Sequence, residues 1–303
     1  MAKSLPPSVI IIRPPVEAYS VLIAVTGGCS WNKCKFCGTY KGLSGITTQD
    51  YAIRPLQDVL NEIDAYAEKN YHGYPVFLAG GNPTSAPTEY LVTIIKYVRE
   101  RLKDVTRISC YCKALDVLRK SDDELKELAD AGLDIVYMGL ESGSSKVLRI
   151  MKKGTNAKAF IKAGKKLLKS GIQLSMYVLL GLGSYELSEE HVKETARVLT
   201  EINPTIFRFR TLNISPNTPL WKEWKNGDFK LLKPVDCIKE ERDIIANLGD
   251  NVTSQVFNDH VSNYCSIQSS NIKEDREMFI RTLDSFINDS RIQKLPRQNR
   301  INL

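Results

Sequence analysis

The chain has 303 residues, of which 43% are hydrophobic and 25% charged, a composition typical of one large globular α/β domain with an appendage. Its longest apolar runs, such as 21–25 and 176–182, fall far short of the roughly 20 residues that cross a bilayer, so we expect no transmembrane helix. The net charge of +7 comes largely from lysines scattered along predicted helices, which indicates solvated helix faces rather than a nucleic-acid site.

The N-terminal extension, residues 1–20, interrupts its apolar stretch with prolines and carries one early lysine, which is not typical of a secretory signal. We therefore expect a cytoplasmic protein. The seven cysteines are an odd number, and three of them fall within nine residues. Because disulfides are disfavoured in the cytosol, a tight cysteine cluster predicts metal binding or catalysis.

Short β-branched runs alternate with helical patterns from residue 21 onward. The predicted strands are 21–26, 74–79, 106–112, 135–140, 172–180 and 205–212. The predicted helices between them are 55–69, 88–102, 121–131, 144–170 in two pieces, and 188–201. Ser121 and Glu124 have the spacing of a capping box, which supports the start of the helix 121–131. Six such units predict an α/β fold with a partial, TIM-like (β/α)6 barrel over 21–220; a doubly wound sheet is the alternative.

The last third of the chain has a different pattern. Helices predicted near 219–226, 235–248 and 273–289 suggest a C-terminal helical cap over 221–290. Residues 291–303 contain four basic side chains and Pro296, which predicts a flexible basic tail.

A cysteine-rich loop, TGGCSWNKCKFCGTY over 26–40, directly follows the first predicted strand. The carboxyl ends of parallel strands are where such folds place their active sites. Cys34 and Cys37 form a C-x-x-C pair, and Cys29 adds a third thiol. A structural zinc site needs four protein ligands, and the loop has no fourth Cys or His. A [4Fe–4S] cluster with three thiolates would instead keep one iron open.

The order of a strand, a loop ending Cys-x-Phe-Cys and alternating α/β units resembles the radical S-adenosylmethionine (SAM) superfamily, whose open iron binds the amino and carboxylate groups of SAM. This resemblance implies that Cys29, Cys34 and Cys37 are the metal ligands and catalytic residues, and that Phe36 shields the cluster; loop packing is the alternative role for Phe36. Four residues separate Cys29 from Cys34 where the family's commonest spacing is three.

Two later segments resemble family motifs that contact SAM. Residues 78–83, LAGGNP, resemble a Gly-Gly-Glu-Pro-type motif whose backbone carbonyls receive the SAM ammonium group, with an asparagine where an acidic residue is common. Residues 176–186 resemble an apolar strand followed by glycine that brackets the adenine. The implied cofactor contacts are Gly80, Gly81, Asn82, Leu180 and Gly181.

Residues 139–143, GLESG, resemble a segment of the subgroup that includes oxygen-independent coproporphyrinogen oxidase, the methylthiotransferases and the Elongator catalytic subunit. The resemblance implies that Glu141 contacts SAM or orders the site and that Ser142 adds a hydroxyl contact. The alternative is that Glu141 and Ser144 only cap the next helix.

Two arginines, Arg208 and Arg210, share one face of the sixth predicted strand. We expect Arg208 to bind the cofactor, and a buried guanidinium would need a SAM carboxylate, Glu141 or an acidic substrate as its partner. If this face meets the helices instead, both are ordinary snorkelling residues.

The remaining cysteines are dispersed along the chain. Cys110, Cys112 and Cys265 predict either a second thiol site or, as is more usual, small buried hydrophobes. His260 and Tyr264 either line a substrate cavity or form a turn.

The resemblance implies an enzyme that cleaves SAM reductively to a 5′-deoxyadenosyl radical, which abstracts hydrogen from an unknown substrate. A flavodoxin or ferredoxin-type reductant and anaerobic chemistry follow from it. We find no corrinoid-binding pattern, methylthiotransferase N-terminal domain or acetyltransferase domain. The alternatives are an RNA-modifying radical SAM enzyme and a non-catalytic zinc- or cluster-binding module.

Overall fold

A computed structural model describes residues 12–41, 50–297 and 299. The chain divides into two compact units. The first comprises Met1–Asn32, Thr39–Met138 and Lys165–Leu174. The second comprises Lys33–Gly38, Gly139–Gly164 and Ser175–Leu303. The cysteine loop is therefore shared, because Cys29 belongs to the first unit and both Cys34 and Cys37 to the second.

The first unit contains parallel strands interleaved with helices. Its strands are β1 (Val21–Ala24), β2 (Thr26–Gly27), β3 (Ala52–Ile53), β4 (Val76–Ala79), β5 (Ile108–Cys112) and the first part of β6 (Ile135–Glu141). Its helices are α1 (Leu56–Glu68), α2 (Thr88–Arg101), α3 (Ala114–Arg119) and α4 (Asp122–Ala131). Strands β1, β4, β5 and β6 pair in that order, all parallel, and β2 pairs antiparallel with β3.

Local sequence explains where α4 begins and ends. The Ser121 side chain accepts from the Glu124 backbone, and the Glu124 side chain accepts from the Ser121 backbone, which is the predicted capping box. The helix ends at Ala131 and is followed by its C-cap, Gly132, whose φ of 106° favours glycine.

The second unit contains the remaining elements. Its helices are α5 (Ser145–Ile150), α6 (Ala157–Ser170, which continues into the first unit), α7 (Ser188–Ile202), α8 (Pro219–Asn226), α9 (Pro234–Ala246), α10 (Ile272–Asn288) and α11 (Ser290–Lys294). Its strands are β7 (Gln173–Leu180, beginning in the first unit), β8 (Ile206–Thr211), β9 (Gln255–Phe257) and β10 (Gln268–Ser269). Strands β7, β8 and β9 are parallel neighbours, and β10 pairs antiparallel with β9.

All six predicted strands form, and their observed pairings are parallel, which confirms the α/β class. The sequence missed β9 and β10 because three and two residues are too short to show an alternating pattern. The segment predicted as a flexible tail starts with α11, and Asn299 exchanges hydrogen bonds of 2.7 and 2.8 Å with the Ile214 backbone. Residues 1–11, 298 and 300–303 lie outside the described residues.

None of the helices in the described ranges has the length and apolar content that crossing a bilayer requires.

Candidate active site

In the first unit, the end of β4 approaches the cysteine loop closely. The Gly81 N–H donates to the Gly28 carbonyl oxygen over 3.0 Å. A Cβ at Gly81 would lie 2.3 Å from that oxygen and 2.7 Å from the Cys29 Cα, so no larger residue fits. Gly80 has a φ of 130°, and a Cβ there would lie 2.1 Å from the Thr26 hydroxyl oxygen. The two glycines thus place the β4 backbone directly against the backbone at Cys29.

Asn82, fully buried, fixes the residue that follows Cys29. Its side-chain oxygen accepts from the Ser30 N–H at 3.0 Å, and its amide nitrogen donates to the Ser30 hydroxyl at 2.9 Å and to an Asp116 carboxylate oxygen at 2.6 Å. The Lys113 ammonium also donates to the Ser30 hydroxyl, at 2.7 Å. Asp116 explains the asparagine: an acidic residue here would bring two carboxylates together, which is unfavourable.

In the second unit, residues 33–38 carry Cys34 and Cys37 and are fixed at Lys35. The Lys35 N–H donates to the Met151 carbonyl at 3.0 Å, and its own carbonyl accepts from the Leu220 N–H at 3.1 Å. Phe36 packs against a buried apolar cluster made of Val147, Met151, Leu182, Leu212, Ile214, Leu220, Phe229 and Leu231. The loop-packing role of Phe36 is therefore present, and cluster shielding stays a prediction.

Glu141 forms an ion pair with Lys153 next to this segment. The Lys153 nitrogen lies 2.8 Å from a Glu141 carboxylate oxygen and 5.8 Å from the centre of the Phe36 ring. Burial acts to lower the pKa of Lys153, but Glu141 and the sulfurs of Cys34 and Cys37 together raise that pKa above its ordinary value. Glu141 itself has a φ of 63°, a conformation that is strained for a non-glycine residue.

The helix-cap alternative holds for Ser144 and not for Glu141. The Ser144 hydroxyl accepts from the Val147 N–H at 3.1 Å and caps α5, whereas Glu141 pairs with Lys153. Leu180 is 1% exposed at the end of β7. Its proposed contact with adenine stays a prediction.

Ser142 and Gly181, at the ends of β6 and β7, are held by buried side chains from two helices. The Ser142 hydroxyl oxygen lies 2.8 Å from His191 Nδ1, and the Gly181 N–H donates to the Glu240 carboxylate at 2.6 Å. Ser188 donates to the other Glu240 oxygen at 2.6 Å, and His191 Nε2 lies 3.9 Å from the carboxylate. Burial raises the pKa of Glu240 to about 7 and lowers the pKa of His191 to about 4.

The two arginines of β8 have different partners. The Arg208 guanidinium stacks 4.3 Å from the centre of the Phe257 ring, and its nearest carboxylate oxygen, from Asp259, is 3.8 Å away. Arg210 lies 5.2 Å from the Tyr177 ring centre and donates to a backbone carbonyl at 3.2 Å. Glu141 was one of the predicted partners of Arg208, but it pairs with Lys153 instead.

The dispersed cysteines are buried. Burial raises the pKa of Cys110 to about 12 and that of Cys112 well above its ordinary value, so both are neutral thiols. Cys265 accepts from the Asn258 amide at 3.2 Å. His260 Nδ1 lies 2.8 Å from the Ser262 hydroxyl oxygen, within a turn. Within the described ranges, no set of three or more His, Cys, Asp or Glu side chains is grouped to hold a metal ion, so the three-cysteine site stays a prediction.

The residues of these arrangements that were not predicted include Asp116, Lys153, His191 and Glu240. Lys153 had a signal, because it follows Glu141 by twelve positions in the same stretch of sequence. The other three are acids or a histidine on helices, where surface positions are the usual expectation. Only tertiary packing reveals that they are buried.

Comparison with known proteins places these observations in a family. Residues 23–199 match the radical SAM superfamily. An uncharacterized protein of Methanocaldococcus jannaschii, MJ0486, is 24% identical over 79% of this chain and 74% of its own length. The tRNA uridine(34) acetyltransferase of Methanocaldococcus infernus is 23% identical, and the tRNA-2-methylthio-N(6)-dimethylallyladenosine synthase of Buchnera aphidicola is 24% identical. The matches to these two tRNA enzymes each cover 76% of this chain. The chain spans 50% of the length of the first enzyme and 53% of the length of the second.

Solved structures show the same fold. Methylornithine synthase matches with a TM-score of 0.52 and 15% identity over 92% of this chain and 83% of that one. Coproporphyrinogen III oxidase from Escherichia coli, a radical SAM enzyme, matches at 0.51 with 18% identity over 75% and 51%. Both likenesses confirm the predicted radical SAM type of α/β fold. Because the family match covers more than half of the chain, the protein belongs to the radical SAM superfamily and is an enzyme that uses a [4Fe–4S] cluster and S-adenosylmethionine.

Proposed function

We propose that Cys29, Cys34 and Cys37 hold the [4Fe–4S] cluster and leave one iron for SAM. All seven cysteines are free thiols, and these three are partly exposed whereas the other four are buried. Cluster ligands are thiolates, and burial in apolar surroundings disfavours ionisation, so partial exposure suits ligation. When bound, the cluster supplies the electron for reductive cleavage of SAM.

The observation that carries this proposal is the Glu141–Lys153 ion pair beside the C-x-x-C segment. Lys153 lies close enough to the Cys34 and Cys37 sulfurs for all three groups to interact electrostatically. The bond between Lys153 and Glu141 holds that carboxylate in one place beside the C-x-x-C segment. We propose that Glu141 so positioned contacts SAM or orders its site.

The other proposed SAM contacts are at the ends of strands. The side chain of Asn82 is fully engaged with Ser30 and Asp116, so the contact from this position is assigned to the backbone, as it is for Gly80 and Gly81. The Ser142 hydroxyl and the Gly181 N–H are held by His191 and Glu240 respectively. We also propose that Ser142, Leu180 and Gly181 contact SAM.

Anaerobic reconstitution with iron and sulfide tests the ligand assignment. We expect about four irons per wild-type chain, and 5′-deoxyadenosine on addition of dithionite and SAM. The Cys29→Ala, Cys34→Ala, Cys37→Ala triple variant should bind no cluster and form no 5′-deoxyadenosine.

The matched control is Cys110→Ala, which removes a buried thiol and should retain both iron and product. Full cluster content in the triple variant would show that other residues are the ligands. A wild-type chain that takes up the cluster and yields no 5′-deoxyadenosine would contradict the proposed chemistry.

Modification of RNA is a second candidate function, favoured by the names of two relatives, both of which specify tRNA. RNA binding driven by phosphate contacts weakens steeply as salt rises. Filter binding of total tRNA at 50 and 200 mM salt therefore tests it. Submicromolar, salt-sensitive binding supports this substrate, and absence of binding at 50 mM salt rejects it.

We also propose a flavodoxin or ferredoxin-type reductant, anaerobic chemistry and a cytoplasmic location. A low-potential donor is needed to reduce a cluster of this class. The seven free thiols suit a reducing compartment. Reduction of the reconstituted protein by either type of purified donor, followed by electron paramagnetic resonance, checks the donor assignment.

A further inference from the structure

In the second unit, Arg208 lies on the face of the sheet that points away from helix α9. The register of β8 and β9 pairs Phe207 with Val256 and Arg208 with Phe257, so the two pairs point to opposite faces. Asn258 has the same parity as Val256 and its amide bonds to Glu241, a residue of α9. The Phe207 face therefore packs on α9, and the Arg208 face is the other one.

On this face Arg208 is buried without a hydrogen-bond partner for its Nε. The residue is 6% exposed, and Nε has no partner among the described residues. Its ion pair with Asp259 spans 3.8 Å, beyond hydrogen-bonding distance, and the Asp259 side chain is 52% exposed. The Phe257 ring covers one side of the guanidinium plane at 4.3 Å.

A guanidinium in this state is costly for the chain alone. Burying a charge is unfavourable unless it is paired and hydrogen-bonded, and a carboxylate half in solvent at 3.8 Å provides little compensation. Stacking on Phe257 fixes the plane of the guanidinium and leaves its N–H groups at the edges of that plane. A fixed planar fork of N–H donors is suited to two parallel hydrogen bonds with an oxyanion.

Of the neighbouring charged groups, Arg210 favours an anion, and Asp259 is the acid that an anion would replace as the partner of Arg208. Arg210 lies two residues along on the same face and adds a second positive charge. Burial and Arg210 lower the pKa of His260 to about 4, so its imidazole is neutral at pH 7 and does not repel a cationic neighbour. Asp259 is the acidic side chain that pairs with Arg208, and it also acts on His260.

We propose that Arg208 binds an oxyanion, a carboxylate or phosphate, carried by the substrate of this enzyme. The inference rests on the proposed function, since it names a substrate class for the same enzyme. It assigns Arg208 to the substrate, whereas the sequence predicted a cofactor contact and left a SAM carboxylate, Glu141 or an acidic substrate open as its partner. SAM also has a carboxylate, so the experiment must separate the two sources.

Anaerobic calorimetry of the reconstituted holoenzyme makes that separation, with inorganic phosphate and succinate as probes at constant ionic strength. We expect at least one probe to bind, with the same affinity whether or not SAM is saturating. Arg208→Gln should weaken that probe at least about tenfold while SAM still binds with wild-type affinity. Arg208→Lys keeps the charge but not the planar set of N–H donors, so it should lose an intermediate amount of affinity for the probe. This variant replaces Arg208→Gln in the test if the Gln variant does not fold.

The matched control is Arg281→Gln, because Arg281 is exposed on α10 and pairs with exposed Glu277. It should bind the probe as the wild type does. Competition between SAM and the probe would assign Arg208 to the SAM carboxylate and overturn the proposal. Absence of probe binding to the wild type, or unchanged binding in both Arg208 variants, would also overturn it. Failure of SAM itself to bind is a different result, which contradicts the proposed function.

Discussion

Asn82 in the first unit and Arg208 in the second are both buried polar side chains at predicted cofactor contacts, but their hydrogen bonding is opposite. Asn82 makes bonds of 3.0, 2.9 and 2.6 Å to Ser30 and Asp116. Arg208 has an Nε without a partner among the described residues and one ion pair at 3.8 Å. The chain thus satisfies the first side chain and leaves the second for another molecule.

This difference separates a structural role from a binding role at positions that look alike in the sequence. A satisfied polar group contributes to stability, and its removal leaves its former partners unpaired. An unsatisfied buried charge opposes stability until a ligand compensates it. Mutations at the two positions should therefore change the free energy of unfolding in opposite directions.

The largest expected effect is at Asn82. Asn82→Ala removes three hydrogen bonds and leaves the Asp116 carboxylate and the Ser30 N–H without their partner. We expect a loss of about 4 kcal/mol in the free energy of unfolding, measured in urea with the metal-free chain. Asn61→Ala is the control, because the exposed Asn61 side chain accepts a hydrogen bond from Gln57 on the surface of α1, and its loss should cost at most about 0.5 kcal/mol. Equal losses at the two positions would refute a structural role for Asn82.

Glu240 provides a second satisfied group, with a pH-dependent effect. Burial raises its pKa from 4.5 to about 7 in the folded chain. Its contribution to stability is therefore fully present below pH 4.5 and is lost as the pH rises through about 7. Glu240→Gln keeps an acceptor for the Gly181 N–H and does not titrate. Between pH 5 and 8 we expect the wild type to lose on the order of 2 kcal/mol relative to this variant.

Titrating groups far from Glu240 are present in both proteins and cancel to first order in that difference. His191 lies 3.9 Å from Glu240, but its pKa of about 4 keeps it neutral over this pH range. Urea unfolding at intervals of one pH unit measures it. A difference that is constant with pH would mean that Glu240 has the same pKa in the folded and unfolded chains. Such a result would also mean that burial beside Gly181 does not desolvate the Glu240 carboxyl group.

The fold was predictable because it depends on patterns that are local in the sequence. Alternating apolar runs located all six long strands, and the capping box located the start of α4. Strand β9 was not predictable, since its three residues form a strand only by pairing with β8. That pairing is what places Phe257 beside Arg208.

The site was predictable at residues that belong to sequence motifs and not at those that support them. Glu141 was found from GLESG, but its partner Lys153 was not assigned a role. Asp116, which accounts for asparagine at position 82, lies 34 residues away from it along the chain. Such partners are brought together only by tertiary packing, so no local pattern indicates them.

The smallest expected effect, and the one that most sharply tests the comparison, is at Arg208. Arg208→Met replaces an uncompensated buried charge with a shorter, unbranched apolar side chain. We expect the metal-free, ligand-free chain to become about 1 kcal/mol more stable in urea.

Arg107→Met is the control, because Arg107 pairs at 2.9 Å with the fully buried Glu17 and its removal should cost about 3 kcal/mol. Both variants remove one guanidinium, so we expect opposite signs because Arg107 has a close carboxylate partner and is more exposed, whereas Arg208 is buried without one. A loss above about 2 kcal/mol at Arg208 would place it with Asn82 among structural residues.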